Sequence, residues 1–96
     1  MRPSEALRLH RERARQIVLR HRVRDVRVFG SVLRGEDQEG SDLDVLVDLT
    51  EQTTLLDIGA IQVELTELLG VTVDVVTPGA LPAELRARVL GEAQPL

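Results

Sequence analysis

The sequence predicts a small α/β fold: a mixed three-stranded sheet with its helices packed mainly on one face. Two observations carry this expectation. Apolar residues alternate along three stretches, Val23–Phe29, residues 42–49 and residues 71–77, as they do on strands. Between the last two, Leu55, Ile58, Ile61, Leu65, Leu68 and Leu69 recur at helical spacing. A strand–helix–strand crossover normally makes its two strands parallel neighbours.

The elements follow in order. Residues 4–21 read as a helix with Ser4 as N-cap, Glu5 favoured in the first turn by the helix dipole, and a stripe of Leu7, Ala14, Ile17, Val18 and His21. Arginines 8, 11, 13, 15 and 20 cover the rest, a pattern that fits a solvated face, a docking surface or a nucleic-acid contact. His10 and His21 read as surface or packing residues. Val23–Phe29 forms the first strand and runs into Gly30-Ser31, and residues 32–35 suggest one helical turn. Residues 36–41 form a polar loop whose Glu36, Asp37 and Glu39 are expected in solvent.

The second strand places Leu43, Val45, Val47 and Leu49 on an apolar face, with Asp48 expected as a solvent-facing end residue. Leu55–Leu69 is the expected main core helix, stopped by Gly70. On the third strand Val71, Val73 and Val75 share one face, and Thr72, Asp74 and Val76 the other. Pro78-Gly79 is a turn, and Pro82 opens a last helix in which Leu85, Val89 and Leu90 are spaced to pack. Residues 94–96 are expected to fray.

Composition bounds the classes. Ninety-six residues make one small domain spanning 1–96. With 43% hydrophobic but only 1% aromatic residues, its core must be built from Leu, Val, Ile and Ala. The absence of cysteine excludes disulfides and thiolate metal sites, and two histidines are too few for a His-rich zinc site. No apolar run approaches the roughly 20 residues of a membrane span, so a cytoplasmic protein without membrane contact is expected. The net charge is −4, yet every basic residue is arginine and only Arg86 and Arg88 follow Gly35. An acidic chain without aromatic stacking platforms argues against nucleic acid as a direct partner.

The chemistry concentrates in one stretch. Gly30 lets a backbone approach a ligand closely, and Ser31 offers a hydroxyl and an N–H suited to a phosphate. Asp42 and Asp44 then open the second strand on the same face, roughly 6.5–7 Å apart along the backbone. At 5 Å and an effective dielectric of 20, two such carboxylates repel by about 3 kcal/mol. A hard cation removes that repulsion, and Mg²⁺ is commonly bound by one or two carboxylates plus substrate phosphates. Arg34 fits either a salt bridge to Asp42 or Asp48 or a fork onto a triphosphate. Asp74 interrupts an otherwise apolar strand, so it pairs with an arginine, accepts satisfying hydrogen bonds or joins a metal site.

Gly-Ser, ten intervening residues and Asp-x-Asp together resemble the signature of the nucleotidyltransferase superfamily that includes DNA polymerase β. The Arg34-Gly35 and Ser41-Asp42-Leu43-Asp44 context looks like the minimal nucleotidyltransferases, which include antitoxins paired with HEPN-domain toxins. The resemblance covers nearly the whole chain. It implies a nucleotidyltransferase fold and a catalytic, Mg²⁺-holding set of Asp42, Asp44 and Asp74, the third acid lying on the strand after the helix. It implies nucleotide binding by Gly30, Ser31, Arg34 and Ser41. The implied reaction transfers AMP from ATP to a hydroxyl, a tyrosine of a cognate HEPN RNase toxin, with which the chain would form a hetero-oligomer. Two alternatives stand beside it: a non-catalytic antitoxin acting by occlusion, and an enzyme acting on a small molecule or an RNA end.

Overall fold

In the computed structural model, which describes residues 1–96, the chain runs α1 (Pro3–Leu19), β1 (Val23–Phe29), α2 (Ser31–Arg34), β2 (Leu43–Leu49), α3 (Leu55–Leu69) and β3 (Val73–Val76). A 3-10 turn (Pro78–Ala80), α4 (Ala83–Glu92) and β4 (Gln94–Pro95) complete it. The sheet has four strands rather than the expected three, in the order β3-β2-β1-β4. β1 is antiparallel to β2 and to β4, and β2 is parallel to β3, as the α3 crossover requires.

Residues 94–96 therefore do not fray. Gln94 and Pro95 pair with Val28 and Arg27, the Leu96 N–H donates to the Val26 carbonyl at 3.2 Å, and the Leu96 side chain is buried in the core. A terminal leucine that finds apolar cover ties down backbone which would otherwise be solvated.

The core lies between one sheet face and the α1–α3 pair. Leu7, Ala14, Ile17 and Val18 of α1 meet Val26 and Val28 of β1, Leu43, Val45 and Val47 of β2, and Ile61, Leu65 and Leu69 of α3. The periodicity overreached at the ends of elements: Leu55 is 89% exposed, and Leu49, Leu85 and Leu90 are exposed too. The opposite sheet face is less open than expected, because Leu46 shares it with Asp44 and is fully buried. Chain leaving β3 at one edge returns through α4, whose Val89 is also buried, to β4 at the other.

The helix termini explain the element boundaries. α1 starts at Pro3 with Arg2, not Ser4, as N-cap. The Glu5 carboxylate accepts the Arg2 backbone N–H at 3.1 Å. The Ser4 N–H, one of the donors a helix start leaves unpaired, donates to Asp37 at 2.8 Å from the far side of the loop. Asp37 is thus buried, not solvated. At His10 the backbone leaves helical values (φ −123°, ψ 20°), kinking α1 between its two buried patches. α3 opens on a reciprocal cap in which Thr54 and Asp57 each accept the other's backbone N–H, and closes on Gly70 in the left-handed conformation.

Candidate active site

The turn after β1 sets the site. Gly30 has φ 81° and ψ −154°, a region that L-residues with a side chain avoid. A Cβ there would lie 3.2 Å from Asp44 Cγ and closer still to Oδ2. Glycine is needed twice, for its backbone conformation and for the space its missing side chain leaves to Asp44. Ser31 begins α2, and the Arg34 N–H donates back to the Gly30 carbonyl at 3.2 Å.

Strand register brings the acids together. Asp44 stands opposite Phe29 on β1 and beside Asp74 on β3. Asp42 lies just before β2, and the Leu43 N–H donates to the Thr72 carbonyl at 2.9 Å, locking the heads of the two parallel strands. Asp44 is half-buried while Asp42 and Asp74 are exposed. Asp74 thus needs no buried partner: β3 is an edge strand, and its carboxylate faces water. Burial pushes the Asp44 carboxyl above its ordinary value, the charge of Asp74 pushes it further and that of Asp42 further still, while Arg34 pulls weakly back.

Nowhere do three acidic or histidine side chains stand preassembled at metal-ligating distance. The charges of Asp74 and Asp42 nonetheless reach Asp44 strongly enough to raise its proton affinity. The donor set suits a hard divalent ion: carboxylate oxygens only, one of them half-buried against a glycine that leaves it room.

The remaining expected residues are placed differently. Arg34 pairs with neither Asp42 nor Asp48; its Nε is 3.3 Å from Glu36 and its Nη1 3.2 Å from Glu92. Asp48 is half-buried, with the Arg27 Nη2 at 3.0 Å, so it is an ion-pair partner rather than a free strand end. Its cross-strand neighbour Asp25 has a raised proton affinity, chiefly from a hydrogen bond to Asp48 and then from burial. The Ser41 hydroxyl accepts the Gln38 N–H at 2.9 Å within its own loop, a bond that leaves its O–H to donate. Glu92 is the residue sequence reasoning missed: its Oε1 accepts from Arg34 and, at 3.4 Å, from the Gly30 N–H. Nothing in its local sequence separates it from any acidic residue near the end of a helix.

A mixed sheet with carboxylates at the head of one strand, under a Gly-Ser turn, is an arrangement suited to a triphosphate and its cation. The sequence matches the nucleotidyltransferase domain family over residues 7–96, and the chain belongs to that family. Such enzymes use a nucleoside triphosphate with a divalent metal. A protein of Methanocaldococcus jannaschii, provisionally named a protein adenylyltransferase, is 43% identical over 77 residues, which are 80% of this chain and 83% of that protein. The protein adenylyltransferase MntA of Thermococcus cleftensis is 43% identical over 70 residues, covering 73% of this chain and 71% of the relative. A solved structure provisionally described as a minimal nucleotidyltransferase superposes with a TM-score of 0.86 at 49% identity, over 97% of this chain and 95% of the other. A toxin–antitoxin structure with AMP-PNP shares the fold, with a TM-score of 0.70 at 18% identity over 83% of this chain and 66% of that one.

Proposed function

We propose that this nucleotidyltransferase is a Mg²⁺-dependent protein adenylyltransferase that acts as an antitoxin, transferring AMP from ATP to a tyrosine hydroxyl of a HEPN RNase toxin. The observation that supports the reading is the strand register that sets Asp44 beside Asp74, against the Gly30 backbone and within reach of the charge of Asp42. The two relatives named as adenylyltransferases support the protein acceptor and the nucleotide. Residues 1–96 act as one minimal domain, in the cytoplasm; no helix is long and apolar enough to cross a membrane.

Asp42, Asp44 and Asp74 would hold the cation, which would supply charge neutralisation for the triphosphate and the leaving group. The Gly30 and Ser31 backbone and the Arg34 guanidinium bind the β- and γ-phosphates, aligning the α-phosphorus. Ser41 keeps the loop before Asp42 closed and so orients the nucleotide-facing carboxylates. The acceptor oxygen forms a bond to the α-phosphorus, the bond from that phosphorus to the bridging oxygen breaks, and pyrophosphate departs with the electron pair. Asp74, exposed on the edge strand where a large acceptor can approach, takes the hydroxyl proton.

The experiment is incubation with labelled ATP and a candidate HEPN partner protein, with and without EDTA. Label on the toxin that disappears with EDTA, and with Tyr→Phe in the toxin, is expected. Equal labelling with EDTA removes the metal mechanism, and label on another residue removes the tyrosine. Occlusion is the second reading, favoured by Leu55 and Leu56, which are 89% and 84% exposed on α3. They follow the C-terminal end of β2, away from the carboxylates at its head.

A further inference from the structure

We infer that Glu92 occupies the place of the β- and γ-phosphates and must leave it when a nucleoside triphosphate binds, so that the end of α4 competes with the substrate. The inference rests on the proposed role of Gly30 and Arg34 as phosphate donors. Those same two donors are the ones Glu92 holds, at 3.4 Å from the Gly30 nitrogen and 3.2 Å from Arg34 Nη1. A carboxylate oxygen presents a backbone N–H and a guanidinium with what a phosphate oxygen presents: a charged acceptor. One N–H cannot serve both in full. A triphosphate arriving with Glu92 in place would also add its charge to a face that already carries Asp42, Asp44 and Asp74.

The contact is built to break. The Arg34 and Glu92 side chains are 37% and 26% exposed, so water screens the pair and replaces its hydrogen bonds on release. The backbone around Glu92 is fixed, by the Ala93 N–H on the Val89 carbonyl at 2.9 Å and by the pairing of Gln94 with Val28. Release is therefore a rotamer change at Glu92, with α4 and β4 staying in place. While no nucleotide is bound, the same contact keeps Arg34 pointed at the turn.

The test compares wild type, Glu92→Gln and Glu92→Ala by calorimetry with a non-hydrolysable ATP analogue plus Mg²⁺, and with AMP. Both variants should bind the triphosphate about 1.5- to 5-fold tighter, the range an exposed ion pair allows. AMP, which lacks the β- and γ-phosphates, should bind all three alike. Glu92→Gln keeps the volume, so it decides the matter if Glu92→Ala melts early. Unchanged triphosphate affinity overturns the competition alone. Weaker affinity overturns it in favour of a positioning role for Glu92 on Arg34. If Gly30→Ala and Arg34→Ala leave triphosphate affinity untouched, or no form of the protein binds the analogue, the phosphate reading falls and takes this inference with it.

Discussion

Asp37 and Asp44 stand in one connected stretch and are opposite kinds of carboxylate. Asp37 is 3% exposed, and burial alone would raise its proton affinity. The Ser4 backbone N–H and hydroxyl more than offset that and hold it below its ordinary value, although its Oδ1 has no partner. Asp44 is less buried yet is pushed the other way, by burial and then by Asp74 and Asp42, with no hydrogen-bond donor near enough to answer. The difference separates a carboxylate held by a backbone donor from one whose charge no hydrogen bond in the fold answers, which is what the proposed cation site requires. Burial does not mark function here; unanswered charge does.

The largest effect expected from breaking this contrast is on catalysis. Asp44→Asn keeps nearly the same volume, removes a charge and leaves the core face of β2 untouched. Label transfer should fall by orders of magnitude, because a positioned cation supplies much of the stabilisation of such a transition state. The melting temperature of the protein without metal should hold or rise, since the repulsion from Asp42 and Asp74 is gone. Undiminished transfer with the protein still folded would dismiss Asp44 from the site. If labelling is lost while growth is still rescued from the toxin at native expression, occlusion suffices.

Gly30→Ala strikes the same carboxylate through the backbone. Strain at a positive φ of this kind costs about 1–3 kcal/mol, and the new Cβ must also move Asp44. Chemical denaturation should show the destabilisation, and transfer should be lost beyond what the unfolded fraction explains. A variant as stable as wild type would mean that the turn relaxes and that the close approach carries no constraint.

How far the sequence could foresee this contrast follows from the range of each interaction. Asp-x-Asp and Gly-Ser were legible because strand alternation and the φ demand of Gly30 act over a few residues. Asp74 reads onto the correct face, and the α3 crossover brings it beside Asp44; its exposure follows from edge position, which is a property of the whole sheet. Asp37 reads as solvated because its partner, Ser4, lies across the fold, and nothing local announces a helix capped by a distant loop. β4 was missed for the same reason: a two-residue strand has no period to detect. Glu92 reaches Gly30 only once α4 has crossed the sheet. Leu55 went wrong the opposite way, since its spacing was right but the helix outruns the layer that would cover it.

The smallest effect is a pH dependence of stability, and its sign differs for the two carboxylates. Asp37 has a lowered folded value, so its contribution is present above the unfolded value near 3.8 and lost as pH falls through the folded value. Asp44 has a raised folded value, so the fold binds its proton more tightly than the unfolded chain does. Ionising it costs stability as pH rises from about the unfolded value through the folded one. Urea titrations of wild type, Asp37→Asn and Asp44→Asn without metal, from pH 7 towards 3, separate the two. Asp37→Asn should be less stable than wild type at pH 7, by about 0.5–2 kcal/mol as for a lost helix cap, and the gap should close only at the acid end. Asp44→Asn should be as stable or more so at pH 7, with its advantage shrinking as acid protonates Asp44 in the wild type. Saturating Mg²⁺ should erase that advantage from the wild-type side while leaving the Asp37 gap unchanged, because the proposed cation site includes Asp44 and not Asp37. Equal gaps with and without Mg²⁺ for both variants would show that the two carboxylates differ in burial alone.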